Sequence, residues 1–349
     1  MKRYEHGGNV WRGGAPDAWL DFSANMRPEG MPDWVRDTLH AAVDDAVYYP
    51  DPAMRHAREG LAQTLGLAPS CVEPTAGGIA ALQAVSMLPY TQEVVATPAF
   101  VEYERLCRLQ GRAVRYAPLC DGHTVLPLAK ALFPHLVSGC RVWLCNPSNP
   151  LGTAFPRPAV LALLERVEAL HGMLVVDEAF GTYCPQNSVR DRVTDHPALV
   201  VTGSLTKCLA VPGVRVGYVC AAPTVLQALC ARQTPWALNC FAARLLCALP
   251  AHGDTLAQIT AENTARRIPF AQALTARGWY VYPSEASYLL ADTGRPVEAL
   301  CRALAVQHIL VRPCDAFVGL DEKHLRLAVK TLDMQRRLLQ AIDRNGKAE

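Results

Sequence analysis

The chain has 349 residues, half of them hydrophobic, and a formal net charge of +2. This length can bury a substantial core in one large domain or two ordinary ones, and the near-neutral charge gives no electrostatic case for nucleic acid or an anionic membrane, although local basic residues could still bind a small anion. No uncharged apolar run approaches the roughly 18–20 residues of a membrane span, the opening MKRYEHGGNVWRGG lacks the apolar stretch of a signal peptide, and the thirteen scattered cysteines, never spaced C-x-x-C, fit reduced thiols in a cytoplasmic protein.

In chain order, residues 1–45 read as Gly- and Pro-rich irregular chain followed by a helix from Pro32. The middle alternates short apolar runs with helical patterns. Glu93–Pro98, Arg141–Asn146, Leu174–Asp177, Leu199–Gly203 and Val214–Cys220 read as buried strands. Between them Pro158–Leu170 puts Leu161, Leu164 and Val167 on one helical face, with Pro158 suited to a first turn. Cys140 and Cys145 flank one such strand and read as small hydrophobes, so no metal is assigned. Strands alternating with helices predict right-handed crossovers and a mainly parallel sheet covered on both sides. From about residue 255 a long polar helix precedes short strands near Trp279–Pro283 and Tyr288–Ala291. A helix near Val297–Gln307, a strand at Leu325–Val329 and a last helix follow. The expected organisation is α/β: a large domain at 46–254 and a small α+β domain built from 1–45 and 255–349.

Three segments carry candidate chemistry. Ser204-Leu-Thr-Lys207 follows an apolar strand, and Arg215 follows eight residues later. A lysine there is unusual, because Lys is rarely buried without a task, and a buried amine has a lowered pKa that suits Schiff-base chemistry. Ser204, Thr206 and Arg215 offer hydroxyls and a planar guanidinium to an anion such as a phosphate. The same letters also suit a surface lysine and an ion-paired arginine, and S-x-x-K occurs as a serine-nucleophile motif. Asp177 ends MLVVD at the strand end where open α/β sheets bind ligands; an ionised Asp there can keep a cofactor pyridine protonated. Asn149 lies in the turn-rich Asn146-Pro-Ser-Asn-Pro-Leu-Gly-Thr153, and its amide can reach a phenolate oxygen. Singly, these are also an Asp that caps a helix and an ordinary Asn–Pro turn.

Together, in this order and spacing, they resemble the aspartate-aminotransferase-like (fold type I) family of pyridoxal 5′-phosphate (PLP) enzymes, over nearly the whole chain. The resemblance implies that Lys207 carries the cofactor covalently, Asp177 pairs with its ring nitrogen and Asn149 bonds its ring oxygen. It also implies that Phe100 stacks on the ring, while Ser204 and Arg215 hold the phosphate. The Gly77-Gly78-Ile79 turn would add backbone N–H donors at a helix N-terminus. Tyr49 resembles the tyrosine that reaches the partner subunit's cofactor, which implies a homodimer.

Within that family His6-Gly-Gly-Asn9, Leu20-Asp-Phe-Ser-Ala-Asn25, Tyr49-Pro-Asp-Pro52, Phe100-Val-Glu-Tyr103 and Asp177-Glu-Ala-Phe180 resemble the cobalamin-pathway decarboxylases of L-threonine O-3-phosphate, relatives of histidinol-phosphate aminotransferase. By that resemblance His6, Asn25, Arg312, Arg326 and Lys330 face a substrate with two anionic ends, suited to guanidinium forks. Lys330 could equally point to solvent. Arg27 stands where the decarboxylase pattern has Asn, and Thr75–Ala80 lacks its usual acid. L-Serine O-phosphate therefore stays open as substrate, since one methyl in an apolar pocket discriminates by only about 1–3 kcal/mol. A histidinol-phosphate-type aminotransferase and a non-enzymatic ligand sensor remain the competing readings.

Overall fold

Seven short runs rich in apolar residues line up as one sheet in the computed structural model, which describes residues 6–12 and 14–345. In chain order they are β1 (Val72–Thr75), β2 (Gln92–Thr97), β3 (Val114–Pro118), β4 (Cys140–Cys145), β5 (Met173–Glu178), β6 (Leu199–Ser204) and β7 (Gly217–Ala221). Across the sheet the order is β1-β7-β6-β5-β4-β2-β3. The run from β6 to β3 is parallel, and β7 is antiparallel to both β6 and β1. The mainly parallel sheet follows from the alternation of strands and helices.

Every residue of β4, β5 and β6 is buried, as expected of strands covered on both faces. The side-chain period of two then sorts these strands into two cores. Val142, Leu144, Leu174 and Val176 join one, while Trp143, Cys145, Val175 and Val200 join the other. Helix α1 (Gly78–Ser86) follows β1, and helix α2 (Glu102–Leu109) follows β2. The helix expected at Pro158–Leu170 runs Arg157–Glu168, with Pro158 in its first turn. Its buried face is Val160, Leu163, Leu164 and Val167, with Leu161 only partly covered.

A long helix, α3 (Gly253–Thr275), leads to a second, antiparallel sheet. Its strands are β8 (Tyr280–Val281), β9 (Tyr288–Asp292), β10 (Arg312–Pro313) and β11 (His324–Ala328), ordered β8-β9-β11-β10. A third core of Phe270, Leu274, Leu289, Leu325, Leu327 and Leu338 lies under it, and Leu20 and Phe22 from the early part of the chain belong to that core. Leu20–Asp21 pairs in parallel with Ile309–Leu310, which ties the two ends of the described chain together. Among the described residues no helix is long and apolar enough to cross a membrane.

Three strands of the large sheet differ from the expected set. The run expected from Val214 begins at Gly217, because Arg215 sits in the left-handed region at φ 61° and turns the chain before the ladder starts. β1 and β3 were not expected. Each lies at a sheet edge, and neither has the continuous apolar run that marks β4 to β6.

Candidate active site

The parallel strands β2, β4, β5 and β6 all end at the same edge of the sheet. Strand order reverses there: the chain leaves β2 toward β3, then returns to β4 on the other side of β2. Such a switch point opens a crevice in α/β sheets, and here it holds a cavity of about 530 Å³. Phe100, Asn149, Asp177, Ser204, Thr206 and Lys207 line it, each contributed by a segment at the end of one of those strands.

Lys207 is half-buried on the turn after β6. Burial pushes its amine down to about 8, with the Arg326 and Arg215 charges adding to the effect. Asp177 is buried at the end of β5. Burial pushes its carboxyl up, while hydrogen bonds from Tyr103, Ala179 N and Thr202 pull it back. Those donors lie at 2.5 Å from Oδ2 and at 3.0 and 3.2 Å from Oδ1 respectively. The ladder sets this up: Thr202 is the register partner of Asp177 on β6.

An anion cradle forms where β1 turns into α1. Gly77 has φ +81°, and a Cβ there would come within 2.7 Å of the Arg215 guanidinium. A side chain at Gly77 would therefore be strained and would also displace the arginine. Gly78 opens α1, whose first N–H groups have no intrahelical acceptor. Ser204 packs beside Gly78, and its Oγ lies 2.8 Å from Thr206 Oγ1. Two hydroxyls, a guanidinium and a helix N-terminus converge here, which is the chemistry a phosphate group needs. Ile79, in the same turn, lines the cavity.

The second sheet supplies the opposite wall. Arg312 on β10 is the register partner of Arg326 on β11, so the two buried guanidiniums stand on one face. Like charges directly opposite each other are unfavourable in a sheet, and the cavity onto which both open is where an anion would relieve that repulsion. Arg326 donates to Asn149 Oδ1 at 2.6 Å and to the carbonyl of Ser23 at 2.8 Å. With its oxygen so engaged, the Asn149 amide can present its N–H groups to the cavity.

Asn25 also lines the cavity, and its carbonyl accepts from Ser287 Oγ at 3.3 Å. His6 lies at the mouth, with Nε2 2.9 Å from the buried carboxylate of Glu102 and its ring 5.7 Å from that of Phe100. Two expected site residues lie elsewhere. Lys330 is buried and donates to the Met26 carbonyl at 3.3 Å; it is not among the cavity-lining residues. Tyr49 is 81 % exposed and packs on Trp236 outside this chain's own cavity.

Three contributors were not singled out from sequence: Tyr103, Glu102 and Ser23. The segment Phe100-Val-Glu-Tyr103 carried a usable signal, since residues three apart share a helical face. Ser23 lies in the quoted Leu20–Asn25 segment but could not be marked out within it, because it meets Arg326 through its backbone carbonyl.

A half-buried lysine with a lowered pKa, a strand-terminal carboxylate and an anion cradle at the switch point of a mainly parallel sheet define a cofactor-dependent enzyme of fold type I. The chain belongs to the aminotransferase class I and II family, which matches residues 18–342. It is 34% identical over 351 residues to threonine-phosphate decarboxylase of Salmonella typhimurium, across 97% of this chain and 95% of that protein. It is 33% identical over 332 residues to histidinol-phosphate aminotransferase of Symbiobacterium thermophilum, across 93% and 89%. The crystal structure of histidinol-phosphate aminotransferase from Sinorhizobium meliloti, in complex with pyridoxal 5′-phosphate, matches with a TM-score of 0.83 at 20% identity, covering 92% of this chain and 89% of that one.

Proposed function

We propose that this chain is a PLP-dependent carboxy-lyase of cobalamin biosynthesis that converts L-threonine O-3-phosphate to (R)-1-amino-2-propanol O-2-phosphate and CO₂. The observation that carries the substrate class is the facing pair Arg312 and Arg326, two buried guanidiniums opening onto the cavity that holds Lys207. A phosphorylated amino acid has an anion at each end and matches two cationic subsites.

The residues present fit the cofactor. Any side chain at Gly77 would fill the cradle against Arg215. Arg326 Nε and Asn25 Oδ1 are buried polar atoms with no protein partner among the described residues, and Arg326 and Asn25 both line the cavity. When bound, PLP supplies an aldehyde that condenses with amines and a ring that withdraws electrons from the bonds of the substrate's Cα. Gly78, Ile79, Ser204, Thr206 and Arg215 would hold its phosphate, while Gly77, whose N–H is donated to the Thr75 carbonyl at 2.7 Å, supplies the turn rather than the expected donor. Phe100 covers the ring, Asn149 donates to the ring oxygen and Asp177 pairs with the ring nitrogen. Lys207 contributes its amine and later holds at Nζ the proton delivered to the carbon that has lost CO₂. Arg326 orients the substrate carboxylate, and Arg312, Asn25 and His6 bind the far phosphate. Lys330 reaches that group only by leaving the Met26 carbonyl. In the same reading the lobes divide at 46–254 against 1–45 and 255–349, and the enzyme is a homodimer in which Tyr49 reaches the neighbour's cofactor phosphate.

The test is phosphorus NMR of the PLP-loaded enzyme with L-threonine O-3-phosphate beside a Lys207→Ala control. Conversion to aminopropanol phosphate only with the lysine intact supports the reading. Amino transfer that depends on a keto acid, with no CO₂ released, would replace it with the aminotransferase alternative. Conversion of L-serine O-phosphate alone would keep the chemistry and change the substrate.

A further inference from the structure

Tyr103 is fully buried in the first turn of α2, and its hydroxyl donates a 2.5 Å hydrogen bond to Asp177 Oδ2. A bond that short to a carboxylate belongs to the strong, charge-assisted kind. The tyrosine is itself clamped. Its ring stacks on Trp143 at 5.7 Å and 17°, and meets Phe100 edge-on at 5.8 Å and 85°. Trp143 Nε1 donates at 2.8 Å to Glu93, and Glu93 is paired with Arg141 and Arg112. The packed ring therefore holds the hydroxyl oxygen beside the carboxylate, with Cys145 as its other polar neighbour. Burial and the neighbouring Asp177 charge also hold the phenol well above its ordinary pKa, so it is a donor at any working pH. Burial drives Asp177 toward its neutral acid, and the Tyr103 bond is the foremost opposing influence.

We propose that Tyr103 is the positioning residue that keeps Asp177 ionised and aimed, and thereby sets the protonation of the cofactor's ring nitrogen. This rests on the assignment of Asp177 to that nitrogen. Phe100 and Tyr103 lie three residues apart, so one short segment supplies both the face over the ring and the donor behind its counter-ion.

The experiment uses full-length enzyme and two readouts independent of turnover: the affinity of the apo-protein for PLP, and the ¹⁵N chemical shift of bound ring-labelled PLP. Wild type, Tyr103→Phe, Asp177→Asn and the double variant are compared. Tyr103→Phe keeps the ring and its packing. It is expected to weaken PLP binding by about tenfold or more, the loss typical of a hydrogen bond to a charged group, and to move the ¹⁵N shift toward the unprotonated value. In the Asp177→Asn background the same change should add almost nothing, because the two residues act as one unit. A Tyr103→Phe enzyme matching wild type in both readouts overturns the proposal. So does an equal loss in both backgrounds with the ¹⁵N shift unmoved, which would make Tyr103 a packing residue. If Asp177→Asn alone changes neither readout, the underlying assignment fails and the proposal falls with it, an outcome visible in the single variant.

Discussion

At the scale of single residues, the lysine proposed to carry the chemistry works against the fold. Lys207 must be placed beside Arg326 and Arg215 in a cavity that pushes its amine down to about 8. Below that value the folded protein holds a poorly solvated ammonium near two other cations. Between about 8 and the ordinary lysine value the unfolded chain binds more protons than the folded one, so stability rises with pH across that window. The expected outcome is that apo Lys207→Met melts at a higher temperature than the apo wild type at pH 7, and that the gap narrows as the pH approaches 10.5. Thermal melts at both pH values check it. Uptake of PLP by the wild-type apo-protein, followed by absorbance, should accelerate as pH rises through about 8, as the neutral amine becomes the major form. Arg326 answers to a different test. Its two donors reach Asn149 and Ser23 in fixed directions, and a lysine cannot reproduce that fork. Arg326→Lys should lower kcat/KM by about two orders of magnitude, the equivalent of roughly two lost charged hydrogen bonds, read from steady-state kinetics.

At the scale of elements, the cradle depends on three chains passing closely. A Cβ at Gly217 would lie 2.5 Å from Gly77 C and Gly78 N and 2.9 Å from the Gly203 carbonyl. Those are all backbone atoms, and none can rotate aside. Gly217→Ala should destabilise the protein by about 1–3 kcal/mol and weaken PLP binding by pushing the first turn of α1 outward. Chemical denaturation and a cofactor titration measure the two effects. The legibility of the fold follows the same physics. β4, β5 and β6 were readable because strands buried on both faces need unbroken apolar runs. β1 was not: it spends four residues on Val72-Glu-Pro-Thr75 and lies at the sheet edge. Lys207, Asp177 and Asn149 could be found because they sit at strand ends, where sequence marks the boundary. The Arg312–Arg326 pairing could not, since it depends on register between strands separated by a long loop. Tyr103 lay in a segment that carried a signal, but an aromatic residue three positions after another reads equally well as core. Lys330 shows the reverse limit: alternation along β11 and its continuation did not reveal that its amine turns to a backbone carbonyl.

At the scale of the whole molecule, one cluster of exposed apolar groups surrounds Tyr49, the residue the proposed dimer would use. Val47, Tyr48 and Tyr49 are 78, 75 and 81 % exposed, and Trp236 packs against Tyr49. A monomer gains nothing by leaving such a cluster in water. Light scattering should give a mass near twice 38.0 kDa. Tyr49→Phe should keep that mass while lowering PLP affinity severalfold through the lost hydroxyl, roughly one hydrogen bond. The order in which the molecule is made also follows from its connectivity. The carbonyl gripped by Arg326 belongs to Ser23, 303 residues earlier in the chain, and Leu20–Asp21 finds its partner only at Ile309–Leu310. During synthesis all residues of the cofactor cradle, bounded by Gly77 and Gly217, have been made while this early strand still has nothing to pair with. A contact of such long sequence separation cannot form until its later partner has been made, and domains fold as units with N-terminal parts first. A growing polypeptide can therefore acquire its cofactor pocket well before it can recognise a substrate, and that recognition arrives only as the last strand of the second sheet leaves the ribosome.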